Sequence, residues 1–460
     1  MARPPIEETC FWLASRAATA EPPLEGRSTC DVAIVGAGFT GLWTASFLKE
    51  LDPALDVCVL EQRIAAYGAS GRNAGILGDT IDHTHELAIA HFGRAEAIRL
   101  AALGRENVSA LRAHLEARGI DCDFEPTGQL HVALSAEQAD EFREAAEAAR
   151  SLGVEDLRLL SRDQMQAEVH SHLYEGGLFN PAGGVLDPVK LVLGLKRDAQ
   201  ERGVRVFENT RVGALEASGP GIVVRSDRGE VVARKAILAT NAWSHELLPR
   251  LRFRFLPLYD YILVSEPLAG AQREAIGWRQ RQGISDARSF FNYYRLTRDD
   301  RVLWGTSEAK YYSGNRVEPG HDHSEAHYSE LRRSFDRHFP ALEGLEFPYA
   351  WGGPICATTR FTPFFGSALQ GRVHYGLGYT GHGIGTTHLA GRILAHMALG
   401  RPTDLLDLKL VREAPFPYPP EPIRTWAVNA VTRALRRVDA GRRPSLLLRM
   451  LDWLGIGLSS

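Results

Sequence analysis

The sequence predicts a two-part protein. One part is an α/β domain with a Rossmann-like parallel sheet assembled from discontinuous segments. The other is an α+β domain with a largely antiparallel sheet. Three stretches predict this plan. Residues 31–61 run strand, glycine turn, helix, strand, acid, and residues 373–399 again run strand, glycine turn, helix. Residues 255–310 instead alternate short strand and turn signals, as in YDYILVSEP and DRVLWGTSEA. Two glycine-rich helix starts so far apart in the chain read as pieces of one layer.

In the first stretch, Asp31 to Val35 is an apolar run of strand length, and Gly36, Gly38 and Gly41 follow in G-x-G-x-x-G spacing. Leu42 to Leu51 has helical periodicity, and Val57 to Leu60 is a second apolar strand ending at Glu61. Gly36 permits the tight turn, Gly38 lets the backbone approach a diphosphate, and Gly41 lets the helix lie close on the strand. The helix N-terminus turns its free N–H groups and the positive end of its dipole toward the phosphates. Glu61 is placed to accept bonds from ribose hydroxyls and would repel a 2′-phosphate. The unit binds a dinucleotide of the kind that lacks that phosphate.

A chain of 460 residues holds two or three domains and buries a large core. Hydrophobic content of 44%, charged content of 24% and a net charge of −3 fit a globular protein that is not a general nucleic-acid binder. The five cysteines form no C-x-x-C pair, so neither a zinc site nor a disulfide framework is expected. No secretory h-region and no membrane-length apolar run occurs, and a cytoplasmic location is expected by default.

Residues 1–30 read as an arm with one short helix around Phe11 to Ala18. Residues 66–77, AYGASGRNAGIL, suit a loop lying close against a ligand. Residues 85–118 and 136–152 are helical in period, residues 123–134 read as a hairpin, and a helix is expected from about Pro188. The second glycine turn leads into a helix from about Thr386. FPYPPEPIR (416–424) is a polyproline-type linker. Beyond it, residues 424–460 carry seven arginines against two aspartates among leucines and tryptophans. That tail fits either a basic amphipathic helix on an anionic membrane or a cover for the protein's own or a subunit's surface.

Five motifs in order now support a resemblance: DVAIVGAGFTGLWTA with Glu61, ASGRNAG (69–75), GGLFNPAGGVLDP (176–188), ILATNAW (237–243) and GYTGHGIGTTHLAG (378–391). The chain resembles the D-amino-acid oxidase superfamily of flavoproteins from about residue 28 to 405. ASGRNAG, WGGPICATTRFTPFFG (351–366) and FPYPPEPIR are most similar to the branch containing γ-glutamylputrescine oxidase and aminophosphonate oxidoreductases. The resemblance implies an FAD-binding domain from residues 31–90, 175–250 and 345–405. It implies a substrate-binding domain from 91–174 and 251–344, with 406–460 as linker and tail. It also implies noncovalent FAD, since Cys356 does not match the attachment position of relatives that bind flavin through cysteine. Gly36, Gly38 and Gly41 would hold the diphosphate and Glu61 the adenosine ribose, and Gln62 is a further cofactor-binding residue. Ser70, Arg72, Asn73 and Ala74 would line flavin and pyrophosphate, and Val212 would meet the adenine. Gly381, His382, Gly383, Gly385 and Thr386 would approach the flavin, with the helix dipole favouring negative charge there.

The implied chemistry is oxidation of a C–H bond next to nitrogen in a small amine or amino acid, giving an imine that water hydrolyses, with oxygen as acceptor and hydrogen peroxide as product. A quinone or carrier protein reached through the tail is the alternative acceptor, and a non-catalytic flavin-binding subunit is the non-enzymatic alternative. Many members clamp a substrate carboxylate with an arginine where this chain has Ile355. Arg295 and Arg360 are the substitutes expected to face the pocket. His382 and His83 are the candidate proton acceptors, with His85 a weaker third. Tyr259, Tyr261, Tyr293 and Tyr294 are expected in pocket walls or core.

Overall fold

The computed structural model describes residues 4–16, 19–81 and 83–453. Its first sheet is parallel at the centre. Strand Gly26–Val35 lies between Val57–Leu60 and Gly229–Leu238, with Arg205–Phe207 beyond the former and Val373–Leu377 beyond the latter. Helices cover the sheet, so its strands read as continuous apolar runs rather than alternating ones; Val57 to Leu60 is buried throughout. Two antiparallel strands, Val212–Ser218 and Gly221–Ser226, extend it beside Gly229–Leu238.

Helices from opposite ends of the chain pack on this sheet. Phe39–Leu51 and Gly383–Leu399 meet so closely that a Cβ on Gly391 would lie 2.6 Å from Trp43 Cβ. Thr40 Oγ1 donates to Tyr379 Oη at 2.9 Å, tying the first glycine turn to the second. The discontinuous domain is therefore closed by contacts between its first and last segments.

The second sheet has the order Tyr349–Ala357, Leu256–Pro267, Arg301–Tyr311, Asn292–Leu296, Gly283–Asp286, Gln129–Ala133, Gly176–Asn180, Arg158–Ser161. All its pairings are antiparallel except that of Gly283–Asp286 with Gln129–Ala133. Several expectations need correction here. Residues 123–134 form no hairpin: only Gln129–Ala133 is a strand, and both its partners lie elsewhere in the chain. Gly176–Asn180 and Tyr349–Ala357 belong to this sheet, so boundaries at 175 and 345 fall too early. A half-buried alternating run reads alike in either sheet. The 85–118 helix is two, His85–Phe92 and Arg94–Ala117, broken at Gly93 with φ +81°.

The N-terminal arm is shorter than expected. Its helices are Ile6–Thr9 and Phe11–Ala14, and the first strand begins at Gly26 because Gly26 to Cys30 continues the ladder with Gly229 to Ala233. Ala17 and Ala18 lie outside the described residues. In the tail, Ile423–Asp439 and Leu446–Trp453 are helices. Arg424 is buried and donates to Asn315 Oδ1 at 2.7 Å, fixing the first of them to the turn that follows the Arg301–Tyr311 strand. No helix among the described residues is long and apolar enough to cross a membrane.

Candidate active site

A single cavity of about 1120 Å³ runs from the first glycine turn to the face of the second sheet. That volume exceeds the upper end of the ordinary small-molecule range, roughly 1,000 Å³, and leaves room for a dinucleotide and a substrate together. Gly36, Gly38, Glu61, Gln62 and Val212 line one end. Gly36 takes φ +108°, a conformation that side chains other than glycine rarely adopt. Gly41 does not line the cavity. It allows close packing instead, since a Cβ there would stand 1.9 Å from Gly36 O. The Phe39–Leu51 helix has no side-chain cap at Gly38, and its first N–H, that of Phe39, goes to Ser70 Oγ at 2.9 Å. The following N–H groups at this positive helix end remain available to an anion.

Glu61 accepts from the Ala37 N–H at 2.9 Å and the Arg63 N–H at 3.1 Å. Burial raises its carboxyl above the ordinary range despite these two donors. A carboxylate so placed gains from ribose hydroxyl donors.

In the middle of the cavity stand Ser70, Arg72, Asn73 and Ala74 and, from the other end of the chain, Gly381, His382, Gly383 and Gly385. The second helix begins at Gly383 rather than Thr386, again without a side-chain cap at His382. Thr386 lies inside its first turn, where its hydroxyl donates to His382 O at 2.8 Å, so it serves the helix start and not the cavity wall. Asn73 holds its own loop, donating to Ala69 O and Ser70 O.

His382 Nδ1 lies 3.2 Å from His83 Nε2, which is also 2.7 Å from Thr380 O. Burial lowers His382 to about 4 and His83 well below its ordinary value. Both rings are neutral at pH 7. They are hydrogen-bonding groups on the cavity wall rather than the near-neutral bases expected from the sequence.

The arginines expected to face the pocket are spent elsewhere. Arg295 is 2% exposed and donates to Gly75 O, Leu186 O and Leu296 O. It cements the end of ASGRNAG to the second sheet. Arg360 donates to Glu413 O and lies over the Phe92 ring. Neither lines the cavity. Sequence position alone does not show which buried carbonyls need a donor, and these guanidiniums satisfy them. Arg72 does line the cavity, but its guanidinium pairs with Asp322 at 2.8 Å and donates to Tyr67 O and Gly352 O.

The far wall is one face of the second sheet. Leu256, Leu258 and Asp260 alternate onto it, while Tyr259 and Tyr261 turn into the core behind. The same period places Tyr293 on the wall and Tyr294 in the core, stacked on Trp304 at 4.2 Å. Tyr293 Oη donates to Asp260 Oδ2 at 2.8 Å. The Tyr293 ring lies flat over Gly305, where a Cβ would come within 2.2 Å of it. Ile355 and Cys356 also line the wall, and burial holds the Cys356 thiol well above its ordinary pKa. Asp260 is the residue that reading by motif missed. The signal was present in LPLYD, an apolar alternation that ends in a carboxylate on the same face.

The cradle, the acid behind it and two bare helix ends on one cavity are a donor set suited to a flavin dinucleotide. A model of the family described as FAD dependent oxidoreductase matches residues 31–397. The chain belongs to this family. It is 32% identical to the gamma-glutamylputrescine oxidoreductase of Escherichia coli (strain K12) over 373 residues, 81% of this chain and 84% of that one. Glycine oxidase from Geobacillus kaustophilus superposes with a TM-score of 0.70 at 20% identity, covering 84% of this chain and 99% of the other. L-amino acid deaminase from Proteus vulgaris gives 0.69 at 16%, covering 86% and 100%. These two share the fold, and FAD is the cofactor of this family member.

Proposed function

We propose that the protein oxidises a small amine or amino acid at the C–H bond next to nitrogen, leaving an imine that water hydrolyses to a carbonyl compound and an amine. The observation that carries this reading is the unbroken cavity joining the dinucleotide cradle to a sheet wall that holds a carboxylate. The 32% identical gamma-glutamylputrescine oxidoreductase supports an amine donor. Bound FAD supplies the two-electron acceptor, and oxygen takes those electrons on to hydrogen peroxide.

The chain's own residues bind, orient and exclude water. Gly36 and Gly38 admit the diphosphate, and Glu61 receives ribose hydroxyls. The bare N–H groups near Gly383 to Gly385 set a positive potential at the middle of the cavity, which favours negative charge developing there. Neutral His83 and His382 offer hydrogen bonds without adding charge. Phe416, Tyr418, Val431 and Leu435 of the C-terminal segment close one side of the cavity.

Cys356, un-ionised through burial, is a poor nucleophile, so FAD is expected to be held without a covalent bond. Acid precipitation should leave a yellow supernatant and a white pellet; colour retained in the pellet would contradict this.

A second reading has one specific observation in its favour. Trp426 is 70% exposed and Leu446 77% exposed, and neighbouring Arg433, Arg437 and Arg449 are exposed too. Such a surface suits an anionic membrane, and with it a quinone or carrier protein as acceptor. An oxygen electrode separates the readings. One peroxide formed per oxygen consumed supports the oxidase, whereas turnover only with an added quinone supports the dehydrogenase.

A further inference from the structure

We propose that Asp260 receives the ammonium group of the substrate and takes a proton from it, which makes the site selective for amines that carry no carboxylate on the reacting carbon. This rests on the amine-oxidising reading above.

Asp260 faces the cavity with Tyr293 as its hydrogen-bond partner, and among the described residues no cation pairs with it. The contrast with Asp286 on the same wall is informative, since Asp286 is neutralised by Arg288 at 2.7 Å. Asp260 is half-buried, and a carboxylate drawn part-way out of water without a countercharge is costly unless a cation arrives to pair with it. Ser307 Oγ, on the adjoining strand of the wall, is buried and has no hydrogen-bond partner, so the wall presents an acceptor there as well. Among the described residues, each arginine on the cavity surface already has a partner. Arg72 is paired with Asp322, Arg211 with Glu246, and Arg424 is bonded to Asn315.

The same carboxylate suits the proton. Burial raises Asp260 to about 6, against the pull of the Tyr293 hydroxyl, while His382, which also lines the cavity, is lowered to about 4. The substrate R–CH₂–NH₃⁺ gives one proton to the Asp260 carboxylate, leaving R–CH₂–NH₂ and the carboxylic acid. The freed lone pair becomes the second bond of C=N as the C–H bond breaks; bound FAD would supply the two-electron acceptor for the hydride released. The iminium R–CH=NH₂⁺ then takes water to give aldehyde and ammonium, and Asp260 returns its proton to solvent.

The test uses the FAD-loaded enzyme and tert-butylamine, which has no C–H bond next to nitrogen and therefore binds without reacting. Its Kd, from calorimetry, should rise on the order of 100-fold in Asp260→Asn, the scale expected when one partner of a buried charge pair is removed. FAD content and thermal midpoint should be retained, because the variant removes an unpaired charge and keeps the Tyr293 bond. A measurement on the wild type needs no variant: tert-butylamine should bind on the order of 100-fold tighter than the neutral isostere tert-butanol. Equal affinities in either comparison overturn the proposal. Under anaerobic conditions n-butylamine should bleach the flavin, and norvaline, the same chain with a carboxylate on the reacting carbon, should not; bleaching by norvaline at a comparable rate also overturns it. Asp260-dependent binding of tert-butylamine without bleaching by n-butylamine would support the ammonium site while overturning the reading of function.

Discussion

Gly41→Ala is expected to purify nearly colourless. The added Cβ would stand 1.9 Å from Gly36 O, in a turn that the Gly36 N–H ties to Leu60 O, so the helix must move away. That displacement withdraws the N–H groups at the helix start from the diphosphate and overpacks a buried seam. Overpacking alone costs about 1–3 kcal/mol. Loss of the helix-end anion site adds to this only in the FAD-bound form. The ratio of flavin to protein absorbance should fall to near zero while far-ultraviolet dichroism stays close to wild type. Glu61→Ala is the milder companion. It removes the ribose acceptor and the partner of the Ala37 N–H, and partial FAD retention is expected. Two fully yellow variants would place the cofactor elsewhere.

Arg72→Met is expected to destabilise the protein more than any other substitution on the cavity surface. Arg72 and Asp322 have side-chain exposures of 3% and 6% and join the cofactor-side loop to the strand-helix connection of the other sheet. Removing one partner of a buried pair costs about 3–5 kcal/mol, because the remaining charge is left uncompensated. Burial already pushes Asp322 up to about 6 even with Arg72 beside it. The folded state therefore holds this proton more tightly than the unfolded state. The group's contribution to stability is greatest below the unfolded value and is lost as pH rises through about 6. Without Arg72 that loss grows and extends to higher pH. Chemical denaturation at pH 5 and pH 8 should show a larger deficit at pH 8. Arg72→Met with Asp322→Leu should recover much of it. A deficit independent of pH would show that the carbonyl bonds to Tyr67 and Gly352, rather than the ion pair, carry the effect.

The cofactor half of the fold was legible because its signals are local. A glycine turn, a buried strand and an acid at fixed spacing each report backbone geometry within one βαβ unit. Thus Gly36, Gly38 and Glu61 lie on the cavity, and Gly41 serves close packing, as its type and position imply; Val212, also on the cavity, was expected only from the family resemblance. The second glycine turn was equally plain, although the helix begins at Gly383 because glycines there adopt helical angles without a capping side chain. The second sheet was harder because its determinants are non-local. Arg295 and Arg360 look alike as free cations in sequence, and only the folded chain shows that carbonyls of Gly75, Leu186 and Glu413 claim them. Conversely, Asp260 belongs to no motif. Its position follows from strand register and from Tyr293 lying over Gly305 across the sheet.

The central claim is that one cavity holds FAD and an amine together, and anaerobic titration of the purified protein with n-butylamine tests it most directly. The expected result is loss of the oxidised flavin band to a stoichiometric end point, restored on admitting oxygen. A band that no amine diminishes, or protein that takes up no FAD at all, would contradict the account.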